Sequence, residues 1–411
     1  MKILFISDFF PDPNIPGGAS TRVYYIMREL VRNHSVDLLS TRWPGIQIDL
    51  EKIKDICNNA YFYEFSNKQP AKKLNGKFIE RFRELGHILF ESTYMVQSTL
   101  RHWNSFQSKL NEIDLSKYDL IQIEDSYIAY RLFKTKKKFK NMPVVIDLHN
   151  VNSLIEKRNF QHTKGWRWRF YVWTEWKKML NYESRIFNTF DLNLTCSDED
   201  RRIAKSMVSK ARFEVIPNGV DVEYFKPNGK FETNALVFLG SDWTPNVDGL
   251  LYFYKEIWPE IKKSVPDVKL YIVGNFSKNE SIKALAGNDI ILTGYVKDVR
   301  EWVNKGAVSI VPLRLGGGTR LKVVEAMALG KAIVSTSIGI EGIDVLNGKD
   351  VILADEPHSF AESVIKLLNN EKECIRLGNN ARRLAEEKYD WKIIVDKLSN
   401  VYEELLNGKK K

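Results

Sequence analysis

Short apolar runs alternate with helical stretches along most of this chain, and that alternation most constrains its fold. Parallel strands cannot be joined by a tight turn and need a crossover, which is usually a helix. The alternation therefore predicts an α/β protein with parallel sheets. The predicted strands are Lys2–Ser7, Val36–Ser40, Leu120–Glu124, Pro143–Leu148 and Leu192–Cys196 in the first half, and Ala235–Leu239, Lys269–Val273, Ile290–Leu292, Val308–Pro312 and Ala332–Ser335 in the second.

A chain of 411 residues is longer than one hydrophobic core usually serves, so two domains are expected. The segment Val215–Pro227 is rich in turn-forming Pro, Asn and Gly residues and is interpreted as the hinge. The tail Trp391–Leu406 has an amphipathic helical pattern. We predict a first domain over residues 1–205, a second over 206–388, and a C-terminal helix over 389–411 that packs back on the first domain.

Charge and cysteine content narrow the class of protein. The net charge of +10 favours anionic partners, but no signature of a nucleic-acid-binding module occurs, so nucleic acid is not expected. Three widely spaced cysteines exclude a disulfide framework and indicate a reducing compartment. No apolar run reaches the ~18 residues of a membrane-spanning helix. A cytoplasmic protein is therefore expected, at the inner face of the membrane if it contacts lipid.

The segment Val311–Gly330, VPLRLGGGTRLKVVEAMALG, is the most informative part of the sequence. Its strand ends at Pro312, three glycines follow, and a helix is predicted to start near Thr319, which is a good N-cap residue. A glycine-rich turn that leads into a helix points several backbone N–H groups at one spot, with the positive helix end behind them. This arrangement predicts an anion-binding site at Gly316, Gly317 and Gly318.

The first turn of this predicted helix carries two cations, Arg320 and Lys322. Positive side chains there oppose the helix dipole, so an anion bound at that end would explain them. Glu325 lies three residues after Lys322 and shares its helix face. A carboxylate beside a diphosphate is suited to accept hydrogen bonds from ribose hydroxyls. The alternative is a flexible loop with two solvated cations.

These segments resemble those of the retaining family 4 glycosyltransferases, and the resemblance covers nearly the whole chain. The matching segments are EAMALG with Glu325, IPNGVD at Ile216–Asp221, TCSDED with Ser197, PGGAS with Gly17 and Gly18, and DLHN with His149. The resemblance implies the GT-B fold, in which two Rossmann-like α/β/α domains face each other across a cleft. It also implies transfer of a sugar from a UDP- or GDP-sugar to a saccharide or lipid-linked acceptor, with retention of configuration.

The sequence departs from the family pattern at three donor-binding positions. Gly317 replaces the first Glu of the family motif. Ser241 and Asn246 replace an Arg and a Lys that commonly bind the donor diphosphate. In a branch of the family with PNVDG-like and GGGTRLK-like segments, Arg320 and Lys322 would take over the phosphate role, so that the number of cations is kept.

The expected catalytic residues are His149, Arg320, Lys322 and Glu325, with His149 contacting the transferred sugar. Histidine is often structural, so a capping or core role for His149 stays open. Glu124 is a candidate acceptor contact, although an ordinary loop carboxylate is an equal alternative. The expected donor contacts are Gly17, Gly18, Asn218, Gly240, Ser241, Gly294, Tyr295, Val296, Gly316, Gly317, Gly318 and Thr319.

No metal or other cofactor is expected. The nearest match to the Asp-x-Asp turn of metal-dependent enzymes is Asp198–Asp200, just after a predicted strand. Acidic residues at that place favour the start of a helix, because they complement its dipole. Helix N–H groups and the two cations would stabilise the leaving diphosphate instead.

The stretch Lys164–Phe187 places four of the ten tryptophans among basic residues. Helices of this composition can lie on anionic membranes, which would make Trp166–Lys178 a peripheral membrane contact. The alternative is a helix packed against its own sheet with the basic residues outside, and the sequence favours this core packing.

Three other functions compete with this assignment. A GT-B nucleotide-sugar epimerase would share the nucleotide site but need acid and base carboxylates at the sugar. A catalytically silent binding subunit is suggested by Gly317 and Asn246. A dinucleotide oxidoreductase is disfavoured, because the turn after the first strand is too long and lacks Gly-x-Gly-x-x-Gly.

Overall fold

The computed structural model describes residues 1–13, 15, 17–42, 53–64, 103–133, 139, 142–316 and 318–409. The chain divides into two compact units. The first comprises Met1–Ile216 together with Val395–Lys411, and the second comprises Pro217–Ile394. Each unit is built on one parallel sheet with its own hydrophobic core.

The sheet of the first unit has seven strands in the order β3-β2-β1-β4-β5-β6-β7. All of its neighbouring strands pair in parallel. The central strands are apolar and almost fully buried, as expected when helices cover both faces. The strands are β1 (Lys2–Ser7), β2 (Ser35–Arg42), β3 (Asn59–Glu64), β4 (Leu120–Glu124), β5 (Val144–Leu148), β6 (Leu192–Thr195) and β7 (Phe213–Val215).

The described helices of the first unit connect these strands. They are α1 (Gly18–Leu30), α2 (Trp103–Glu112), a 3₁₀ turn (Leu115–Lys117), α3 (Ser126–Phe133), α4 (Asn152–His162), α5 (Trp166–Phe187) and α6 (Asp198–Met207).

The sheet of the second unit has six strands in the order β10-β9-β8-β11-β12-β13, and its neighbours are also parallel. The strands are β8 (Glu232–Leu239), β9 (Lys269–Val273), β10 (Ile290–Gly294), β11 (Gly306–Val311), β12 (Ala332–Ser335) and β13 (Ile352–Leu353).

The helices of the second unit include two π-helical turns, Phe253–Ile257 and Ala385–Tyr389. The α-helices are α7 (Thr244–Tyr252), α8 (Trp258–Ser264), α9 (Glu280–Lys283), α10 (Val299–Lys305), α11 (Leu321–Ala328), α12 (Pro357–Leu368) and α13 (Glu371–Leu384). A last helix, α14 (Trp391–Lys409), starts in the second unit and continues into the first from Val395 on. None of the described helices has the length and apolar composition needed to cross a bilayer.

Three short strands escaped the sequence analysis, and one of them moves the expected domain boundary. β7 pairs with β6, so the first unit continues beyond residue 205 and ends at Ile216. β13 has only two residues, and β3 has a polar residue at each end with only Tyr63 buried between them, so neither gives a clear apolar run. The expected insertion Phe62–Leu115 lies largely outside the described residues.

The strand order reverses once in each sheet, between β1 and β4 in the first and between β8 and β11 in the second. At such a reversal the connections leave in opposite directions and open a crevice beyond the carboxyl ends of the strands. Ligands bind there in open α/β sheets. The fold therefore provides one candidate site in each unit.

Candidate functional site

Two loops meet at the strand reversal of the second sheet. One follows β8 and leads into α7, and the other follows β11 and leads into α11. A Cβ atom added at Gly249 in α7 would lie 2.9 Å from the carbonyl oxygen of Pro312, so glycine is needed for this close approach. Arg314 in the second loop pairs with Asp248 of α7, with Nη2 and Oδ1 2.7 Å apart. The glycine-rich loop is thus fixed against α7.

Lys322 bridges the two sides of this reversal. Its Nζ donates a hydrogen bond to Oδ1 of Asn246 in α7, at 2.7 Å. The ammonium also lies 4.3 Å from the ring centroid of Phe238 in β8. Burial, together with the positive charge of Arg320, lowers the pKa of Lys322 to about 7. Binding of an anion would favour the protonated form.

Arg320 occupies the N-cap position of α11, which corrects the prediction for Thr319. The helix begins at Leu321, and its cap residue makes no side-chain cap hydrogen bond. The Arg320 side chain is buried and folds back along the glycine-rich loop, where Nη1 donates to the carbonyl oxygen of Gly318 at 2.6 Å. Gly316 has φ +112°, and a Cβ there would lie 2.9 Å from Nη2 of Arg320. Gly317 lies outside the described residues.

Glu325 follows Lys322 by one turn of α11 and is half-buried. Burial raises the pKa of its carboxyl group to about 7, although the Lys322 charge opposes this shift. No side chain in the described part of the second unit donates a hydrogen bond to its carboxylate. An acceptor beside Lys322 is therefore available to ligand hydroxyl groups.

The glycines at the ends of β8, β9 and β10 pack closely on one another. Gly274 has φ +130°, and a Cβ there would come within 1.7 Å of the carbonyl oxygen of Gly240. Gly294, with φ +68°, bridges to Gly274. Backbone packing explains Gly240 and Gly274, and the donor contacts of Gly240 and Gly294 stay predictions. Tyr295 beyond them is 69% exposed.

The reversal of the first sheet is closed by buried, paired charges. His149, just after β5, lies with Nε2 2.8 Å from Oε2 of Glu124 at the end of β4. The Phe9 ring stacks on the His149 ring, with centroids 5.4 Å apart. Nδ1 of His149 is buried and makes no hydrogen bond with the described residues. Burial lowers the pKa of His149, but the hydrogen bond and charge of Glu124 outweigh it, so the pKa is raised.

A buried ion pair lies beside this histidine. Arg22 of α1 binds Asp147 of β5 through two hydrogen bonds of 2.8 and 3.0 Å, and it also donates to the carbonyl oxygen of Ile216. Gln122 donates to Glu124 at 2.7 Å and accepts from the hydroxyl of Tyr402 in α14. Asp147, Glu124 and Gln122 are fully buried, so the network is cut off from water.

Glu124 does not meet the expectation for an acceptor contact. It is fully buried, and both of its carboxylate oxygens accept hydrogen bonds from protein groups. The residue after it, Asp125, has φ 74°, the one positive φ among described non-glycine residues. Such conformations cost free energy and often mark functional sites. Nothing in the sequence around Asp125 predicts this strain.

Glu124, Asp147 and His149 bring ligand atoms within 4.8 Å of one another, which raises the question of a metal. The Arg22 guanidinium already neutralises Asp147, and the His149 nitrogen nearest the carboxylates is engaged by Glu124. A divalent cation would have to displace both contacts and would be repelled by Arg22. The residues therefore do not fit a metal site.

The acidic run Asp198–Asp200 opens helix α6, as predicted. Ser197 is the N-cap and accepts a hydrogen bond from the backbone N–H of Asp200. Asp198 pairs with Arg201. These carboxylates are used by the helix start and its own cations.

Gly17, Gly18 and Asn218 lie at the starts of local elements. Gly17 has φ +143° and precedes α1, which starts at Gly18, and both glycines are exposed. Asn218 is buried at the start of the second unit. Next to it, a Cβ at Gly219 would meet the Trp391 ring at 2.7 Å.

The core-packing interpretation is wrong for the start of the tryptophan-rich helix. In α5 the rings of Trp166, Trp168 and Phe170 are 76%, 63% and 51% exposed. The buried positions begin at Val172 and continue along the helix, at Thr174, Glu175, Met179, Tyr182, Glu183, Ile186 and Phe187. The helix begins with exposed aromatic side chains among arginines and ends in the core.

Comparison with known proteins assigns the chain. The model of Glycosyltransferase Family 4 matches residues 16–224, which is half of the chain. The model of Glycosyl transferases group 1 matches residues 233–370.

The chain belongs to glycosyltransferase family 4. A 44.6 kDa protein in the cps region of Klebsiella pneumoniae is 26% identical, over 98% of this chain and 99% of that protein. Sucrose-phosphate synthase from Thermosynechococcus elongatus superposes with a TM-score of 0.73 at 15% identity, over 99% of both chains. HepE from Anabaena, in complex with UDP-glucose, superposes with a TM-score of 0.66 at 16% identity, over 98% of this chain and 100% of that chain.

This glycosyltransferase has the GT-B fold that the sequence predicted, with two Rossmann-like units. In its second unit the structure brings together Ser241, Lys322 and the glycine-rich loop, which the sequence had named separately. Asn246 links Ser241 to Lys322, whereas in the sequence it stands out only as a departure from the family pattern. In the first unit Arg22, Asp147 and Gln122 were missed, because a buried ion pair leaves no pattern in a single sequence.

Proposed function

We propose that this family 4 glycosyltransferase moves a sugar from a nucleotide-diphosphate sugar to a saccharide or lipid-linked acceptor, with retention of configuration. The observation that carries the proposal is the placement of Lys322 and Arg320 at the start of α11. They follow a glycine-rich loop at the reversal of a parallel sheet. Such a place collects backbone N–H groups and cations around an anion.

In the proposed reaction the bond between the sugar and the diphosphate breaks, and negative charge grows on the diphosphate. Lys322, Arg320 and the N–H groups of α11 stabilise that charge, and because they are fixed beforehand, little reorganisation is needed. Glu325 accepts hydrogen bonds from the ribose. Further donor contacts are proposed for the exposed Ser241, Tyr295 and their neighbours. No metal takes part, because cations of the protein fill that role.

On the sugar side, the proposed contacts come from His149 and from the glycines before α1. The raised pKa of His149 favours the imidazolium, whose Nδ1–H would donate to a sugar hydroxyl. The leaving phosphate oxygen takes the proton of the acceptor hydroxyl as the new glycosidic bond forms on the face that the diphosphate leaves. This scheme needs no protein nucleophile.

The relatives support a role in cell-surface polysaccharide or glycoconjugate synthesis, and we propose that it takes place in the cytoplasm. The Klebsiella relative lies in a cps region, and HepE was solved with UDP-glucose. A UDP-sugar is therefore the first donor to test, followed by GDP-sugars.

The donor is identified by saturation-transfer NMR with a panel of UDP- and GDP-sugars, followed by measurement of nucleotide release with saccharide acceptors. Binding of a nucleotide sugar and acceptor-dependent release of UDP or GDP are expected. Conversion to an epimeric nucleotide sugar would instead identify an epimerase. Binding without any turnover would identify a silent subunit, and absence of binding would defeat the proposal.

We further propose that the start of α5 contacts an anionic membrane. The exposed Trp166, Trp168 and Phe170 alternate with Arg167 and Arg169 along the chain. Aromatic rings partition into the headgroup region, and arginines pair with anionic lipids. A lipid-linked acceptor would be presented at that surface.

Co-sedimentation with vesicles tests this contact. Binding is expected to vesicles of phosphatidylcholine with phosphatidylglycerol and to be reduced in the Trp166→Ser, Trp168→Ser variant. Ile375→Ser, at an exposed apolar residue of the second unit, is the control. Equal binding of the tryptophan variant and the wild type would remove α5 from the membrane contact.

A further inference from the structure

Position 246 differs from the common family pattern, and it touches the cation that is proposed to compensate for the difference. Asn246 lies on α7, beyond the loop after β8, and its side chain is almost fully buried. Its Oδ1 accepts a hydrogen bond from Lys322 Nζ at 2.7 Å. The position that commonly holds a lysine is therefore in direct contact with Lys322, although the two residues stand on different helices.

The orientation of the Asn246 amide is fixed by a third group. Nδ2 donates to the carbonyl oxygen of Ser241 at 2.9 Å. A carbonyl oxygen can only accept, so the amide nitrogen must face Ser241 and the amide oxygen must face Lys322. A Cβ at Gly240 would lie 3.0 Å from the Asn246 side chain, so the glycine leaves room for it.

Lys322 is held between two neutral groups that both favour a positive charge. The Asn246 oxygen accepts a hydrogen bond from the ammonium, and the ring centroid of Phe238 lies 4.3 Å from it. An aromatic face attracts a cation. The charged groups that act on Lys322 are Arg320, which disfavours its protonation, and Glu325, which favours it. A lysine chain would otherwise sample many rotamers.

We infer that Asn246 is a positioning residue for the diphosphate: it aims the Lys322 ammonium from α11 at the site that a lysine at position 246 commonly serves in this family. This inference rests on the proposed function, because it concerns the phosphate part of the donor. Asn246 does not itself contact the diphosphate. The uridine part of a nucleotide is bound without it.

The test is a double-mutant cycle with Asn246→Ala, Lys322→Ala and the double variant, read by calorimetric titration with UDP and with uridine. Asn246→Ala is expected to weaken UDP binding about tenfold, the effect of one lost hydrogen bond to a charged group. Uridine binding is expected to stay unchanged. The double variant is expected to bind UDP no more weakly than Lys322→Ala alone, because Asn246 acts through Lys322. Asn369→Ala, at an exposed asparagine, is the control.

Additive losses in the double variant, or equal losses for UDP and uridine, would overturn the inference. If the wild type binds neither UDP nor GDP, the proposed function itself fails. If the wild type prefers GDP, the same cycle is run with GDP and guanosine.

Asn246→Asp provides a second measurement if Asn246→Ala does not fold. Aspartate keeps the shape and the acceptor oxygen that faces Lys322 but loses the donor to Ser241. Its charge would hold the ammonium and repel the diphosphate. UDP affinity should fall while uridine affinity stays, and UDP binding should persist to higher pH because the carboxylate favours the protonated lysine. Wild-type UDP affinity with an unchanged pH profile would overturn the inference.

Discussion

The two sheet reversals of this glycosyltransferase differ in the partners of their charged side chains. In the first unit, Arg22 is bound to Asp147 and His149 to Glu124, deep in the protein. In the second unit, Lys322 donates a hydrogen bond to the neutral Asn246, and Glu325, the carboxyl group whose charge acts on it, has a pKa raised to about 7. The charges of the first edge are paired within the protein, whereas Lys322 has a neutral hydrogen-bond partner.

This difference separates structural from ligand-binding charges. A buried ion pair whose two partners are hydrogen-bonded helps to specify the fold. Removal of one partner strongly lowers the free energy of unfolding, because a buried charge is left unpaired. A cation held by a neutral oxygen and an aromatic ring costs stability unless an anion arrives. In the proposed function the second edge binds the diphosphate, and the first edge is a rigid support for His149.

The largest effect is expected for the first edge. Arg22→Met leaves Asp147 buried without its cation, and we expect a loss of about 3–5 kcal/mol in the stability of the first unit. Thermal and urea unfolding, followed by circular dichroism, measure it. The corresponding change at the other edge, Lys322→Met, should leave stability equal or higher. Similar losses in both variants would break the comparison.

Glu325→Ala should weaken binding of the nucleotide donor by about 1–3 kcal/mol, since the ribose hydroxyls lose a charged acceptor. Uridine should show the same loss as UDP, which separates this residue from Lys322. Calorimetric titration gives both values, with the exposed Glu387→Ala as control. Unchanged affinity in a folded variant would remove Glu325 from the site.

The pH dependence of binding should separate the two groups without mutation. Below pH 7 the Glu325 carboxyl, with its pKa of about 7, is protonated and loses its acceptor role. Above pH 7 Lys322, with a pKa of about 7 in the free protein, loses its charge. UDP affinity should therefore pass through a maximum near neutral pH, whereas uridine affinity should rise and then level off. Parallel profiles would refute the assignment.

The smallest effect is expected from metal removal. Activity should persist in excess EDTA, because Lys322 and Arg320 supply the positive charge that a divalent ion would provide. Initial rates with and without EDTA measure this. Loss of activity that magnesium or manganese restores would contradict it.

The sequence predicted the architecture well, since strands such as β1, β4, β9 and β12 are short buried apolar runs with sharp ends. It also predicted that Lys322 lies next to the glycine-rich turn, because their spacing follows from local chain geometry. It misplaced the helix start, because Arg320 caps α11 through backbone geometry rather than a side-chain cap.

Contacts between segments that are distant in the sequence could not be predicted from it. Asn246 meets Lys322, and Arg22 meets Asp147, only because the sheet order brings their elements together. The exposure of the aromatic side chains at the start of α5 was also misjudged, because the spacing of tryptophans along a helix does not tell whether they are buried or exposed.

The most direct test of the account is the turnover of Lys322→Ala with the identified donor and acceptor, measured beside Lys366→Ala, a change at an exposed lysine of α12. The leaving diphosphate carries more charge in the transition state than in the ground state, so kcat should fall about 10²–10³-fold. The control should keep wild-type kcat. Wild-type turnover and donor affinity in folded Lys322→Ala would contradict the claim that this edge of the second sheet holds the donor diphosphate.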